Sequence, residues 1–173
     1  MNNIILCGFM GCGKTTVGKE LAQMLNREFI DMDCFIAEKT KMSIYDIFKL
    51  HGEEHFRIIE TAAAKELSER NNLIISTGGG SVLFCENVSY FKAGGKIVFL
   101  DVPLNIIKER LKNDTSRPLL NRTDKDEAMT ELFSIRRPTY LSAADLVVKY
   151  NDENLAKNSF TEVSENICLY FGK

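Results

Sequence analysis

The segment GFMGCGKT, Gly8 to Thr15, combines glycines, a lysine and a hydroxyl group at a spacing that suits phosphate binding. It matches the pattern G-x-x-x-x-G-K-[ST] in full, directly after an apolar run and at the start of a predicted helix. Backbone N–H groups and the helix N-terminus would bind phosphate oxygens, while Lys14 reaches the terminal phosphates and Thr15 ligates Mg²⁺. The motif therefore predicts a site for a nucleoside triphosphate.

A second candidate group is a pair of acids, Asp31 and Asp33, in the segment FIDMDCF. Because they stand two residues apart at the end of a predicted strand, both side chains can lie on one side of it. Ligands of parallel α/β sheets collect at the carboxyl ends of the strands, close to the phosphate loop. One carboxylate there can hold water around Mg²⁺, and the other can hydrogen-bond an accepting hydroxyl. A solvated strand end, or a helix N-cap at Asp33, also fits the pair taken alone.

Arginines are a third candidate group, because the net charge of -2 gives no general basic surface for an anion, a nucleic acid or a membrane. Arg57 and Glu60 stand three residues apart on a predicted helix, where they can pair. A surface ion pair of little energetic value fits the same spacing. In SIRRPTY, Arg136 and Arg137 precede Pro138. Of these two arginines, we expect one to be structural and one functional.

Three consecutive glycines, Gly78 to Gly80, follow the apolar run Leu73 to Ile75 in NLIISTGGGSV. Such a run is entropically unfavourable on folding, so it indicates either a loose linker or a backbone that another group approaches closely. The next residues, SVLF, return to packed structure, which argues against a linker. A turn at the sheet edge remains possible, but a close approach is the preferred interpretation.

Short apolar runs alternate with longer amphipathic ones, as in a parallel α/β sheet with crossover helices. The length of 173 residues predicts a single domain, 1–173. The predicted strands are Asn3–Cys7, Glu28–Asp31, Leu73–Ser76, Ile97–Asp101 and Asp145–Val148. The predicted helices are Lys14–Leu25, a short helix opened by Ser43 and Asp46 and closed near Gly52, Glu53–Ser68 and Leu155–Phe171. The polar residues 112–124 predict a mobile lid between a helix ending near Lys112 and another starting near Asp124.

The 5 cysteines form no C-x-x-C pair and no zinc-ligand spacing, which is typical of reduced thiols in a cytosolic protein. The N-terminal residues have no basic region before their apolar run, so no signal peptide is predicted. No stretch approaches the roughly 18 apolar residues of a membrane span. We therefore expect a cytoplasmic protein without membrane or nucleic-acid partners, and a monomer.

Two classes of nucleotide-binding protein remain open. One is a kinase for a small molecule or nucleotide, and the other is a regulator or motor that changes shape with ATP or GTP. A guanine-reading N-K-x-D motif is absent. The third strand leads into Thr77 and the glycines, and the fourth ends with Asp101 alone, rather than with the Asp-Glu pair usual in motors. These features favour a kinase.

In their order and spacing, these motifs resemble those of the shikimate kinase family, which has the nucleoside monophosphate kinase-like P-loop fold. The matching motifs are GxxGxGKT, Asp-x-Asp at Asp31 and Asp33, FRxxE at Arg57 and Glu60, GGG at Gly78 to Gly80, RPLL at Arg117 and RxPxY at Arg136, Pro138 and Tyr140. The resemblance implies a three-layer α/β/α fold with a five-stranded parallel sheet and a short mobile lid. It also implies ATP-dependent phosphorylation of the 3-hydroxyl of shikimate, giving shikimate 3-phosphate and ADP, in aromatic amino-acid biosynthesis.

The resemblance also assigns roles to residues. The implied ATP-binding residues are Gly11, Cys12, Gly13, Lys14, Thr15, Thr16, Arg110 and Arg117. The implied shikimate-binding residues are Asp33, Arg57, Gly78, Gly79, Gly80 and Arg136. The implied catalytic residues are Asp33, Lys14 and Arg117, and the implied Mg²⁺ site is Thr15 with Asp31 acting through water.

Three points of this assignment stay open. Arg110 is placed like the family's adenine-stacking arginine, although a solvated helix arginine fits equally. Arg122 can share the role of Arg117 on the lid. Gluconate kinase is the nearest rival enzyme, and STGGG together with Arg57 and Arg136 argues against it. The resemblance further implies that Glu60 orients Arg57.

Overall fold

The computed structural model describes residues 2–112, 124–150 and 159–171. Its strands are β1 (Asn3–Cys7), β2 (Glu28–Asp31), β3 (Leu73–Ser76), β4 (Gly95–Asp101) and β5 (Leu146–Lys149). They form one five-stranded sheet in the order β2-β3-β1-β4-β5, and every neighbouring pair is parallel. The predicted α/β class with a five-stranded parallel sheet is confirmed.

Two strands differ from their predicted bounds. β4 begins at Gly95 because the backbone there pairs with Asn3 of β1. β5 begins one residue later than predicted, because Asp145 hydrogen-bonds to β4 outside the regular pairing of the two strands. Its N–H donates to the Ile97 carbonyl at 2.8 Å, and its carboxylate accepts from the Ile97 N–H at 2.9 Å. A polar residue at this strand end thus helps to fix the register of the edge strand.

The helices of the described residues are α1 (Lys14–Leu25), α2 (Met32–Thr40), α3 (Ile44–Ser68), α4 (Cys85–Gly94), α5 (Leu104–Arg110), α6 (Lys125–Ala143) and α7 (Ser159–Phe171). Right-handed crossovers between parallel strands put α1 on one face of the sheet and the helices from α2 to α6 on the other. In agreement, α1 packs against α7, and α3 packs against α4. These are the three layers that the family resemblance implied.

The central strands are buried on both faces, as expected for a parallel sheet covered by helices. All residues of β1 and β3 are buried. The polar side chain of Asn3 is satisfied there, because its amide donates to the carbonyls of Leu67 at 3.3 Å and Arg70 at 2.8 Å and accepts from the Leu73 N–H at 2.9 Å. Asn3 therefore ties the end of α3 to the sheet and fixes where β3 starts.

The helix α3 combines the two helices predicted on either side of Gly52. The predicted capping pair opens it, because the Asp46 N–H donates to Ser43 Oγ at 3.1 Å. At Gly52 the backbone has φ 81° and ψ 175°, which kinks the helix; glycine adopts such a positive φ without the steric penalty of a β-carbon. The part of α3 after the kink carries Arg57 and Glu60.

The predicted lid, residues 112–124, is flanked by α5 and α6. Its arginines, Arg117 and Arg122, lie outside the described residues, as does the predicted start of the last helix at Leu155. Across the described ranges, no helix combines the length and apolar character needed to cross a membrane.

Candidate active site

The predicted phosphate loop connects β1 to α1, which begins at Lys14. Its glycines have positive φ, with 146° at Gly8, 74° at Gly11 and 98° at Gly13. Residues that carry a side chain rarely adopt this backbone conformation, so the glycines allow the loop to curl in front of the helix N-terminus. Beside the loop lies a cavity of about 380 Å³. The predicted ATP-binding residues that line this cavity are Gly11, Gly13, Lys14, Thr15, Thr16 and Arg110.

Lys14 is folded back over the loop. Its Nζ donates to the carbonyls of Gly8 at 2.9 Å and Phe9 at 3.2 Å. Cys12 is fully buried, and its N–H donates to the Phe9 carbonyl at 3.3 Å. The Cys12 thiol therefore packs under the loop, while the ammonium of Lys14 lies where it can reach a bound phosphate.

The two acids do not share a strand, so the prediction that both lie on one side of β2 is wrong. β2 ends at Asp31, and Asp33 is in the first turn of α2. Asp31 Oδ1 accepts from the N–H groups of Asp33 at 3.1 Å and Cys34 at 3.4 Å. It is therefore Asp31, not Asp33, that caps the helix, because its carboxylate satisfies N–H groups that lack an intrahelical partner. Both acids still line the cavity beside the phosphate loop.

Thr15 and Asp31, the predicted magnesium residues, are in contact. Thr15 Oγ1 donates to Asp31 Oδ2 at 3.0 Å. A hydroxyl and a carboxylate at the end of a phosphate loop are the hard oxygen donors that Mg²⁺ prefers, usually with several waters retained. This donor set fits the predicted ion.

The predicted pair of Arg57 and Glu60 is confirmed, and it is not a surface pair. Arg57 Nη1 donates to Glu60 Oε2 at 2.6 Å, and the Glu60 side chain is 1% exposed. Burial raises the pKa of the Glu60 carboxyl, and the hydrogen bond from Arg57 opposes that rise. Sequence reasoning missed a further partner, Glu53, whose Oε1 accepts from Arg57 Nε at 3.2 Å and Nη2 at 2.9 Å. The spacing of four residues was the available signal.

Polar side chains pack directly on the glycine run. A β-carbon on Gly78 would lie 2.9 Å from Glu60 Oε1 and 3.2 Å from Asp33 Oδ1. A β-carbon on Gly80 would lie 2.9 Å from Arg57 Nη2. These two glycines therefore make room for side chains of the protein itself. Only at Gly79 would a β-carbon meet nothing closer than ordinary van der Waals contact, at 3.8 Å from the Gly8 carbonyl oxygen and the Met10 nitrogen. Gly79 also lines the cavity beside the phosphate loop, so another molecule can approach its backbone.

Of the two neighbouring arginines on α6, Arg137 is the structural one. Its Nε and Nη2 donate to the two carboxylate oxygens of Asp101 at 2.9 and 2.7 Å, and Asp101 is 7% exposed.

One turn further along α6, the buried Tyr140 hydroxyl donates to the Gly79 carbonyl. Burial raises the pKa of Tyr140, and the nearby charge of Arg136 opposes that rise. Arg136 thus lies beside the tyrosine that holds the glycine run.

Arg110 is not a solvated helix arginine. Its Nη1 donates to the carbonyls of Gly11 at 3.3 Å and Cys12 at 3.4 Å. Its guanidinium carbon lies 4.7 Å from the ring centre of Phe160 and 5.5 Å from that of Tyr150. Sequence reasoning missed both aromatic residues, since nothing in the segment after β5 relates Phe160 to the phosphate loop. Arg110 therefore borders the cavity beside the phosphate loop, with an aromatic ring against it.

A family model described as shikimate kinase matches residues 10–168. The chain belongs to the shikimate kinase family. The expectation drawn from the order of the motifs is therefore confirmed. Among its relatives, the shikimate kinase of Caldicellulosiruptor bescii is 46% identical over 140 residues, which cover 81% of each protein. That of Francisella tularensis subsp. holarctica is 42% identical over 163 residues, which cover 94% of this chain and 92% of the relative.

Solved shikimate kinases have the same fold. The structure of shikimate kinase from Acinetobacter baumannii in complex with shikimate superposes with a TM-score of 0.90 at 35% identity, covering 99% of this chain and 94% of that one. The shared fold extends over the parallel sheet and the phosphate loop. Of the predicted shikimate-binding residues, Asp33, Gly78 and Gly79 line the cavity beside the phosphate loop. The others, Arg57, Gly80 and Arg136, lie outside that lining, and Gly80 packs on Arg57.

Proposed function

We propose that this chain transfers the γ-phosphoryl group of ATP to the 3-hydroxyl of shikimate, giving shikimate 3-phosphate and ADP, as a step of aromatic amino-acid biosynthesis. One observation carries the proposal. The glycine run beside the phosphate loop contacts both a carboxylate suited to a hydroxyl and a guanidinium suited to an acid, with Asp33 at Gly78 and Arg57 at Gly80. A substrate with a hydroxyl and a carboxylate fits that pair.

On the nucleotide side, the loop N–H groups and Lys14 bind the phosphates, with Thr16 and Arg110 at the border of the cavity. Lys14 moves from the Gly8 and Phe9 carbonyls to the β and γ phosphates, which offer it full negative charge. When bound, Mg²⁺ neutralises charge on the phosphates, and Thr15 with Asp31, through water, would hold it. Arg110 presents its flat guanidinium to the base.

On the acceptor side, Asp33 hydrogen-bonds the 3-hydroxyl and accepts its proton as the oxygen attacks the γ-phosphorus. The bond from that phosphorus to the bridging oxygen breaks, and ADP leaves with the electron pair. Arg57 and Arg136 bind the carboxylate of shikimate, since a planar guanidinium matches a carboxylate with two parallel hydrogen bonds. We also assign Arg117, in the predicted lid, to the transferring phosphoryl group. Catalysis is then mainly positioning and electrostatics.

A coupled assay of ADP release tests this function against its alternatives. We expect release from MgATP to depend on shikimate and to remain at the background rate with gluconate. Release that responds to gluconate would indicate a gluconate kinase. Release that is indifferent to both acids would indicate a nucleotide-dependent regulator.

The position of Gly79 in the lining of the cavity leads to a prediction for Gly79→Ala. Its φ is not positive and a β-carbon would make only ordinary van der Waals contacts, at 3.8 Å, so we expect the free energy of unfolding to change by less than about 1 kcal/mol. If the shikimate ring lies against this backbone, the added methyl group should weaken shikimate binding about tenfold, equivalent to about 1.4 kcal/mol. Binding titrations with shikimate and with ATP check this. Unchanged shikimate affinity would place the ring elsewhere.

Three further properties belong to the proposal. We assign residues 1–173 to one domain, because one sheet organises the described residues. We assign the protein to the cytoplasm, supported by its cysteines, which are all free. We also propose that it is a monomer with small-molecule partners, ATP and shikimate, since the net charge of -2 provides no general attraction for nucleic acid.

A further inference from the structure

The guanidinium of Arg57 is engaged along its edges. Nη1 donates to Glu60 Oε2 at 2.6 Å. Nε and Nη2 both donate to Glu53 Oε1, at 3.2 and 2.9 Å. A β-carbon on Gly80 would lie 2.9 Å from Nη2 and 3.0 Å from Nη1, so the end that carries both of these nitrogens faces the glycine backbone. The rings of Phe56 and Phe84 are centred 5.2 Å from the guanidinium carbon.

Of these neighbours, Glu53 is the one that a ligand can replace. The Glu60 side chain is 1% exposed, and its departure would leave a buried charge without its partner. Gly80 contributes backbone that is held by the turn after it, where its carbonyl accepts from the Leu83 N–H at 3.1 Å. The side chain of Glu53, in contrast, is 66% exposed and can turn into solvent. A substrate carboxylate that binds Arg57 with two hydrogen bonds therefore takes the edge formed by Nε and Nη2.

The charges around Arg57 support the same conclusion. Glu53 and Glu60 are both hydrogen-bonded to its single positive charge, and Asp33 lies close to Glu60 at Gly78. Three carboxylates around one guanidinium repel an incoming anion. If Glu53 leaves as the anion arrives, the number of carboxylates on Arg57 stays the same.

We propose that Glu53 determines the affinity for the acid: it occupies the edge of Arg57 that the carboxylate of shikimate takes, and it leaves when shikimate binds. This rests on the proposed function, in which Arg57 binds that carboxylate. The exchange replaces one ion pair of Arg57 by another. The affinity for shikimate is therefore lowered by the free energy of the ion pair between Arg57 and Glu53. A neutral ligand carries no charge to replace that of Glu53 and leaves the pair of Arg57 and Glu53 in place, which makes Glu53 a residue that selects for acids.

Equilibrium titration of shikimate into wild type and Glu53→Gln tests this directly. The amide keeps the size of the side chain but loses its charge, so the internal pair weakens. Exposed ion pairs are weak, and we expect shikimate to bind about two- to fivefold more tightly to the variant. Glu54→Gln is the matched control, because Glu54 is the next residue, is also exposed and loses the same charge. Its effect on shikimate affinity should be much smaller.

A second ligand separates exchange from a general effect of charge. For a shikimate analogue whose carboxylate is replaced by an amide, Glu53→Gln should give no gain in affinity. Unchanged or weaker shikimate binding in Glu53→Gln would overturn the inference, and weaker binding would show that Glu53 instead positions Arg57. An equal gain in Glu54→Gln would overturn it too. Those outcomes leave the proposed function intact, whereas a wild-type protein that neither binds nor phosphorylates shikimate would refute both.

Discussion

The variant Asp33→Asn should lose about 10²- to 10⁴-fold in kcat while it still binds MgATP. The amide has the size of the carboxylate and can still hydrogen-bond, but it cannot accept the proton of the attacking hydroxyl. Folding should be preserved, because Asp33 is in the first turn of α2 and the cap of that helix is Asp31. Single-turnover kinetics with saturating shikimate measure the loss. A kcat close to that of wild type would remove Asp33 from proton transfer.

Asp31→Asn is the matched control, since the same chemical change is made two residues away. Asparagine is also a favourable N-cap, so α2 and the position of Asp33 should be maintained. The loss of charge beside Thr15 should instead raise the Mg²⁺ concentration needed for half-maximal rate. Magnesium titrations of the reaction rate in both variants and wild type compare the two roles. The same Mg²⁺ concentration at half-maximal rate in all three would contradict the assignment of Mg²⁺ binding to Asp31 and of proton transfer to Asp33.

The fold was predictable because its signals are local. Short segments with an apolar centre predicted β1, β2 and β3 with their observed bounds, and the phosphate loop predicted the start of α1. β5 was misplaced by one residue because the side chain of Asp145, not its apolar neighbours, ends the pairing. That contact joins residues far apart in sequence, and hydrophobic periodicity does not contain it.

The site was predictable only as a set of residues. Their motifs indicated which side chains take part, but of the contacts among them only the pair of Arg57 and Glu60 within one helix. Most of the other contacts are made across elements. The alternation rule placed the side chains of Asp31 and Asp33 on one side of the strand end, yet Asp31 caps a helix that begins at the next residue. The glycine run was expected to accommodate a ligand, whereas Gly78 and Gly80 also accommodate Glu60, Asp33 and Arg57. Packing of this kind follows from the fold as a whole.

Arg136→Lys should weaken shikimate binding by about 10- to 150-fold and leave ATP binding unchanged. Lysine keeps the charge but loses the planar fork, and one lost charge-assisted hydrogen bond is worth roughly 1.5–3 kcal/mol. Arg137→Lys is the natural control, because the neighbouring fork binds Asp101 at 2.7 and 2.9 Å. That variant should lower the free energy of unfolding and have little effect on shikimate affinity.

A double-mutant cycle between protein and ligand isolates the contact of Arg136 with the carboxylate. The second partner is a shikimate analogue with a neutral amide, which never used the fork, so Arg136→Lys should affect its binding far less. The coupling energy then reports the interaction itself, free of any effect of the substitution on folding. A coupling near zero, with both ligands weakened equally, would mean that Arg136 acts through Tyr140 and the glycine run. The acid would then depend on Arg57 alone, and the exchange with Glu53 would control its binding more strongly.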